Sequence, residues 1–116
     1  MEKLDVVELS REGTFKYVLL RADAAGAAGV STHLVRGYSG CEYHADVLEE
    51  AEARATKLVP SVKLTPLGGG RIRRDASTIF IYGYSQAFGR PDHSKTADMC
   101  RAAFPTLEVS WSNDGY

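Results

Sequence analysis

Long apolar runs are missing from this sequence, and so is a net charge of either sign. No stretch approaches the ~18–20 consecutive apolar residues that a membrane-spanning helix needs, so no segment is expected to cross a bilayer. Fourteen Lys and Arg stand against 15 Asp and Glu, a net charge of −1. That balance lacks the basic excess of a general nucleic-acid binder. The two cysteines, Cys41 and Cys100, are too few for a disulfide framework and stand at no metal-ligand spacing. A reducing cytosol is the expected compartment. Met1-Glu2-Lys3-Leu4-Asp5 is charged, with no long apolar stretch behind it, and is not expected to be a signal peptide.

Several catalytic signatures are also missing. A cysteine phosphatase needs an Arg six residues after its Cys, but Val47 follows Cys41 and Thr106 follows Cys100 at that distance. There is no Arg-His-Gly triplet and no Asp-x-Asp pair for phosphoaspartate chemistry. Gly68-Gly69-Gly70 lacks the Gly-Lys-Ser/Thr end of a Walker loop. His33, His44 and His93 lie far apart, with no carboxylate pattern suited to zinc or a two-metal centre. The expectation is chemistry without a metal or other cofactor.

What is present suits a globular domain: 44% of residues are apolar and 25% charged, which argues against a disordered chain or a coiled-coil rod. Area scaling for this size gives ~6,200 Å² exposed when folded against ~18,300 Å² unfolded, enough for a core without a staple. No repeat or linker interrupts the chain, so residues 1–116 are expected to form one domain.

Hydrophobic patterning predicts strands over residues 5–9, 14–22, 31–38, 62–67, 77–85 and 106–111, and helices over 40–58 and 92–104. The 14–22 run, TFKYVLLRA, is apolar on both faces, as a central strand would be. Residues 23–30 are small and Gly-rich and read as a surface loop. Ser39-Gly40-Cys41-Glu42 has the form of a capping box. The helix it opens would bury Cys41, Leu48, Ala51, Ala55 and Leu58, with His44 on the same seam. Gly68-Gly69-Gly70 reads as a turn or a bulge, Asp92 or Ser94 as the second cap. Leu107, Val109 and Trp111 share one face of the last strand. Helices that follow groups of strands, without alternating with each one, give an α/β chain of the α+β kind. Its sheet would be mixed or antiparallel, of about six strands, flanked by two helices.

A few residues suit an anion site. Lys16 is a lone cation in an apolar strand, where it either needs an anionic partner or snorkels to the edge. His44 stands in the first turn of a helix, whose dipole disfavours the imidazolium form, as a neighbouring cation would. It suits a proton acceptor as well as a core or capping histidine. Gly68-Gly69-Gly70-Arg71 offers amides and a guanidinium to an oxyanion, or is a plain turn. Arg73 and Arg74 read as solvated. The amides of Ser85-Gln86-Ala87, after a strong strand, suit an anion nest or an ordinary strand exit. Arg36 either supports the site or pairs with a surface carboxylate.

Together these segments resemble the protein phosphohistidine phosphatase, or Janus/Ocnus, family. The matching stretches are Phe15-Lys16-Tyr17-Val18-Leu19, Val35-Arg36-Gly37-Tyr38, Glu42-Tyr43-His44-Ala45-Asp46, Leu67-Gly68-Gly69-Gly70-Arg71-Ile72, Tyr82-Gly83-Tyr84-Ser85 and Trp111-Ser112-Asn113-Asp114-Gly115-Tyr116. They occur in the family's order from about residue 13 onward. Phe88 stands where a tyrosine is common, and Ser39-Gly40-Cys41 lacks bulkier residues. The resemblance implies a six-stranded sheet between two helices and metal-free hydrolysis of the P–N bond in phosphohistidine-containing proteins or peptides. It implies that His44 is catalytic, that Lys16 and Arg71 bind phosphate, and that Ser85, Gln86 and Ala87 form the phosphate loop. His44 would act as general base or as a transiently phosphorylated nucleophile. The expected protein is a cytoplasmic monomer with no nucleic-acid or membrane partner. The alternatives are a non-catalytic phosphoprotein-binding module and a phosphatase of phospholysine or small phosphoramidates.

Overall fold

Alternation along one strand sets up two cores. In β2 (Gly13–Ala24), Phe15, Tyr17 and Leu19 pack on one face of the sheet, and Val18, Leu20 and Ala22 on the other. The fold is that of a computed structural model, which describes residues 3–24 and 31–114. Around β2 lie β1 (Val7–Leu9), β3 (Ser31–Gly37), β4 (Val62–Arg74), β5 (Thr78–Tyr82) and β6 (Glu108–Trp111). They form one six-stranded sheet in the order β1-β3-β2-β4-β5-β6. Its centre is antiparallel and its two edge pairs, β1–β3 and β5–β6, are parallel, so the sheet is mixed. Helix α1 (His44–Leu58) closes the core of Val18, Leu20, Ala22, Leu34 and Leu64. Helix α2 (His93–Ala103) closes the core of Phe15, Tyr17, Ile72, Ile79 and Ile81 on the opposite face. The architecture is α+β, as the element order predicts.

Differences from the predicted elements have local causes. Ser39 opens no helix: its N–H donates to Ser10 Oγ at 2.7 Å. Helix α1 begins four residues later than expected, where Asp46 Oδ2 accepts the N–H of the N-cap residue Tyr43 at 2.9 Å. Its buried seam is therefore His44, Val47, Ala51 and Ala55, while Leu58 is 50% exposed and Leu48 sits at the margin. β4 runs straight through the three glycines. Leu19 pairs with Gly68 and Leu20 with Pro66, so Leu67 is the extra residue of a bulge and no turn forms. Gly68 (φ +155°) lies so close to the next loop that a Cβ would stand 2.5 Å from Pro91 N. β5 stops at Tyr82 and β6 starts only at Glu108. Trp111, on that edge strand, is 39% exposed, unlike buried Val109. β2 continues through Asp23 and Ala24, which the pattern assigns to a loop; the rest of that loop lies outside the described residues.

Two other side chains differ from expectation. Arg74 is half-buried, with its guanidinium 4.4 Å over the Phe104 ring and Nη1 donating to Ser10 O at 3.1 Å. Arg36 is 4% exposed and donates to the carbonyls of Asp5, Val6 and Val35, pinning the N-terminal segment to β3. The second cap is Asp92, whose Oδ1 accepts the N–H groups of Ser94 and Lys95.

Candidate active site

His44 is the first residue of α1, and its ring lies over the glycines of β4. Its Nε2 stands 2.9 Å from the carbonyl oxygen of Gly70. A carbonyl only accepts, so Nε2 carries the proton. In the neutral ring Nδ1 is then a bare lone pair, and it makes no hydrogen bond with any described residue. The ring fits because position 69 has no side chain: a Cβ there would be 2.5 Å from His44 Cδ2. Burial, reinforced by Lys16 and Arg71, holds the imidazole below its ordinary pKa against the opposing bond to Gly70. His44 is therefore neutral at pH 7.

The ring borders a cavity of about 400 Å³ lined by Lys16, Glu42, Tyr43, His44, Ala45, Arg71, Tyr84, Ser85, Gln86 and Ala87. Six of the residues singled out in the sequence thus line one cavity. Arg36 does not: it lies on β3 with its guanidinium committed to backbone carbonyls. Lys16 and Arg71 are direct cross-strand partners on β2 and β4. Facing like charges repel, and Lys16 forms no ion pair with a described carboxylate. An anion between the two would relieve that repulsion.

Two sets of backbone amides complete the cavity. The loop after β5 is closed by Gly89 N–H to Ser85 O at 2.8 Å and by Phe88 N–H to Ser85 Oγ at 3.0 Å. This leaves the N–H groups of Gln86 and Ala87 with no acceptor among the described residues. At the start of α1 the N–H groups of His44 and Ala45 are likewise unpaired there, as the first amides of a helix are. A helix N-terminus carries partial positive charge and favours anions. Sequence reasoning missed Ala45 and Tyr43 because it started the helix at residue 40; Asp46, a cap partner three residues after Tyr43, was the available signal. The glycines of β4 offer less backbone than expected, since Gly69 N–H is spent on Gly89 O at 3.0 Å. Among the described residues, no three His, Cys, Asp or Glu side chains converge to hold a metal ion.

Comparison with known proteins gives consistent results. The 14 kDa phosphohistidine phosphatase of Sus scrofa is 38% identical over an alignment covering 95% of this chain and 90% of its own length. The protein of the same name from Homo sapiens is also 38% identical, with 95% and 91% covered. The sex-regulated protein janus-A of Drosophila simulans is 36% identical, with 96% and 81% covered. The profile of the Janus/Ocnus family (Ocnus) matches residues 1–108. A match over nearly the whole chain, together with relatives of this closeness, means that the chain belongs to the Janus/Ocnus family.

Proposed function

We propose that this protein is a phosphohistidine phosphatase that hydrolyses the P–N bond of phosphohistidine in proteins or peptides without a metal ion. The observation that carries the reading is the bare Nδ1 of His44 at a cavity with two cations and two sets of unpaired amides. The names of the pig and human relatives support it. Lys16, Arg71 and the amides of Gln86 and Ala87 hold the phosphoryl oxygens and stabilise the charge that builds on them. Water attacks phosphorus and the P–N bond breaks; the substrate ring, which enters protonated at its other nitrogen, takes the bonding pair and leaves as neutral imidazole. His44 Nδ1 takes the proton of the attacking water, and the Gly70 carbonyl supports the imidazolium that forms. The chain is read as a cytosolic monomer, on its balanced charge and unpaired cysteines.

Phosphate release from a phosphohistidine peptide tests this. His44→Ala should lower kcat by ~10²–10⁴ while circular dichroism stays native, the range expected for loss of a general base. Turnover unchanged in that variant, or no turnover in the wild type, rejects the reading and leaves a phosphoprotein-binding module. Trapping of phosphorylated His44 during turnover would replace water activation by nucleophilic catalysis.

A further inference from the structure

We propose that the part of the sheet not covered by α1 docks an acidic, aromatic-bearing segment of the phosphoprotein substrate, next to its phosphohistidine. This rests on the phosphatase reading. Register and alternation define the surface. Thr14 pairs with Arg73 and Lys16 with Arg71 across β2 and β4. Arg73 pairs with Phe80 and Arg71 with Tyr82 across β4 and β5. These six side chains share the face of Val18 and Leu20, which α1 covers further along, yet none belongs to either hydrophobic core. Thr14 and Arg73 are exposed and the other four half-buried.

The β5 side of this surface is aromatic. The Phe80 and Tyr82 rings stack at 5.3 Å and 18°, and the Arg73 guanidinium lies 5.3 Å from the Phe80 centroid. Aromatic and arginine side chains are the types that dominate binding energy at protein interfaces. The surface is continuous with the candidate active site. A polar cavity of about 240 Å³, lined by Thr14, Phe15, Lys16, Cys41 and Arg71, shares both cations with the cavity of His44.

Charge decides which partner fits. The paired rows of Thr14, Lys16, Arg71, Arg73, Phe80 and Tyr82 contain three cations and no carboxylate. Glu108 opposite Thr78 and Asp75 in the β4–β5 turn lie beyond Arg73, Glu12 stands two residues before Thr14 at the start of β2, and Glu42 borders the His44 cavity with Lys16 and Arg71. Across the cleft the groove beside α1 carries Glu42, Asp46, Glu49 and Glu50. A substrate segment lying on the sheet side therefore meets positive charge, and a basic one is repelled from the helix-free surface toward α1.

The test uses a small phosphoramidate and two phosphohistidine peptides of equal length, flanked by Asp, Glu and Phe or by Lys, Arg and Phe. The wild type should favour the acidic peptide in kcat/KM by about tenfold at low ionic strength, a preference that salt weakens. Arg73→Glu should abolish or reverse it, and Phe80→Ala should raise KM for the acidic peptide. Both variants should hydrolyse the small phosphoramidate like the wild type, which also reports that they fold. Equal use of both peptides, or a preference that Arg73→Glu leaves intact, overturns the proposal. If the wild type hydrolyses no phosphoramidate, the phosphatase reading fails, and amide chemical shifts during titration with the unphosphorylated acidic peptide still decide the surface. Shifts centred on Thr14, Arg73, Phe80 and Tyr82 support it, whereas shifts confined to α1 or no shifts overturn it.

Discussion

A methyl group at position 69 would stand 2.5 Å from Cδ2 of His44, so the ring can lie on β4 only while that residue is glycine. Gly69→Ala must push the imidazole outward or bend the strand. Displacement on the order of 1 Å can cost ~10²-fold in rate, and overpacking typically costs ~1–3 kcal/mol. We expect kcat to fall by about two orders of magnitude with a smaller loss of urea stability; wild-type kinetics in this variant would remove the glycine from the site's architecture. His44 also fixes a pH dependence. Burial and two cations hold its pKa below the ordinary 6.5, and a proton acceptor must be neutral. The profile of kcat/KM should be level above pH 6.5 and fall on acidification with an inflection below that value. An inflection above it would show that the imidazolium is favoured in the site. At this scale residue type was informative: a cation in an apolar strand and a histidine in a first helical turn are costly placements that suggest a ligand. Which atom of His44 is bare was not legible, because that depends on the Gly70 carbonyl, 26 residues away in sequence.

Helix α2 illustrates an element whose boundary was readable. Asp92 has the side chain of an N-cap and accepts from Ser94 and Lys95 N–H. Asp92→Ala should lose ~1 kcal/mol of stability, measured by urea denaturation, and Asp92→Asn should recover most of it. Because α2 packs on the face opposite His44, kcat should stay close to wild type in both; a large fall in kcat for either would mean that the cap reaches the site. Helix α1 was harder, since Ser39-Gly40-Cys41-Glu42 carries the same local signal as a true cap. Tertiary structure decides against it: Ser39 N–H is taken by Ser10 Oγ, from the segment after β1. The three glycines were ambiguous for a similar reason. Locally they suit a turn, but pairing with Leu19, Val18 and Tyr17 of β2 keeps them in one 13-residue strand. Local propensity does not contain those partners.

The two faces of the sheet differ across the whole molecule. The α2 face is sealed, while the α1 face is core at one end and open beside the cavity at the other. Element order and six-stranded count followed from patterning, whereas the order β1-β3-β2-β4-β5-β6 depends on long-range pairing that no local window encodes. The sealed face has a polar centre with a consequence for global stability. His93 Nε2–H donates to Gly83 O at 2.7 Å, so Nδ1, 2.6 Å from Tyr17 Oη, accepts the phenolic proton. Tyr17 Oη also lies 3.2 Å from Thr96 Oγ1, so a second proton on this ring would force the phenol to turn its own proton to Thr96 and would place a charge in a buried site. Burial, with help from Arg90, lowers the His93 pKa despite the Gly83 carbonyl and Asp92, and His44 is lowered as well. Unfolded histidines take up protons near 6.5, so the unfolded chain binds more protons than the folded one below that pH. Stability should therefore be full above pH 6.5 and decline as pH falls from there toward the lowered native values, by at most ~1.4 kcal/mol per pH unit for each histidine. Urea unfolding between pH 7.5 and 5 measures the slope. His93→Asn should be less stable at pH 7.5, because buried partners of the ring lose their bonds, yet its stability should depend less on pH. An unchanged slope in that variant would exclude His93 as a source of acid sensitivity and leave it to His44 and His33, whose pKa values are also lowered.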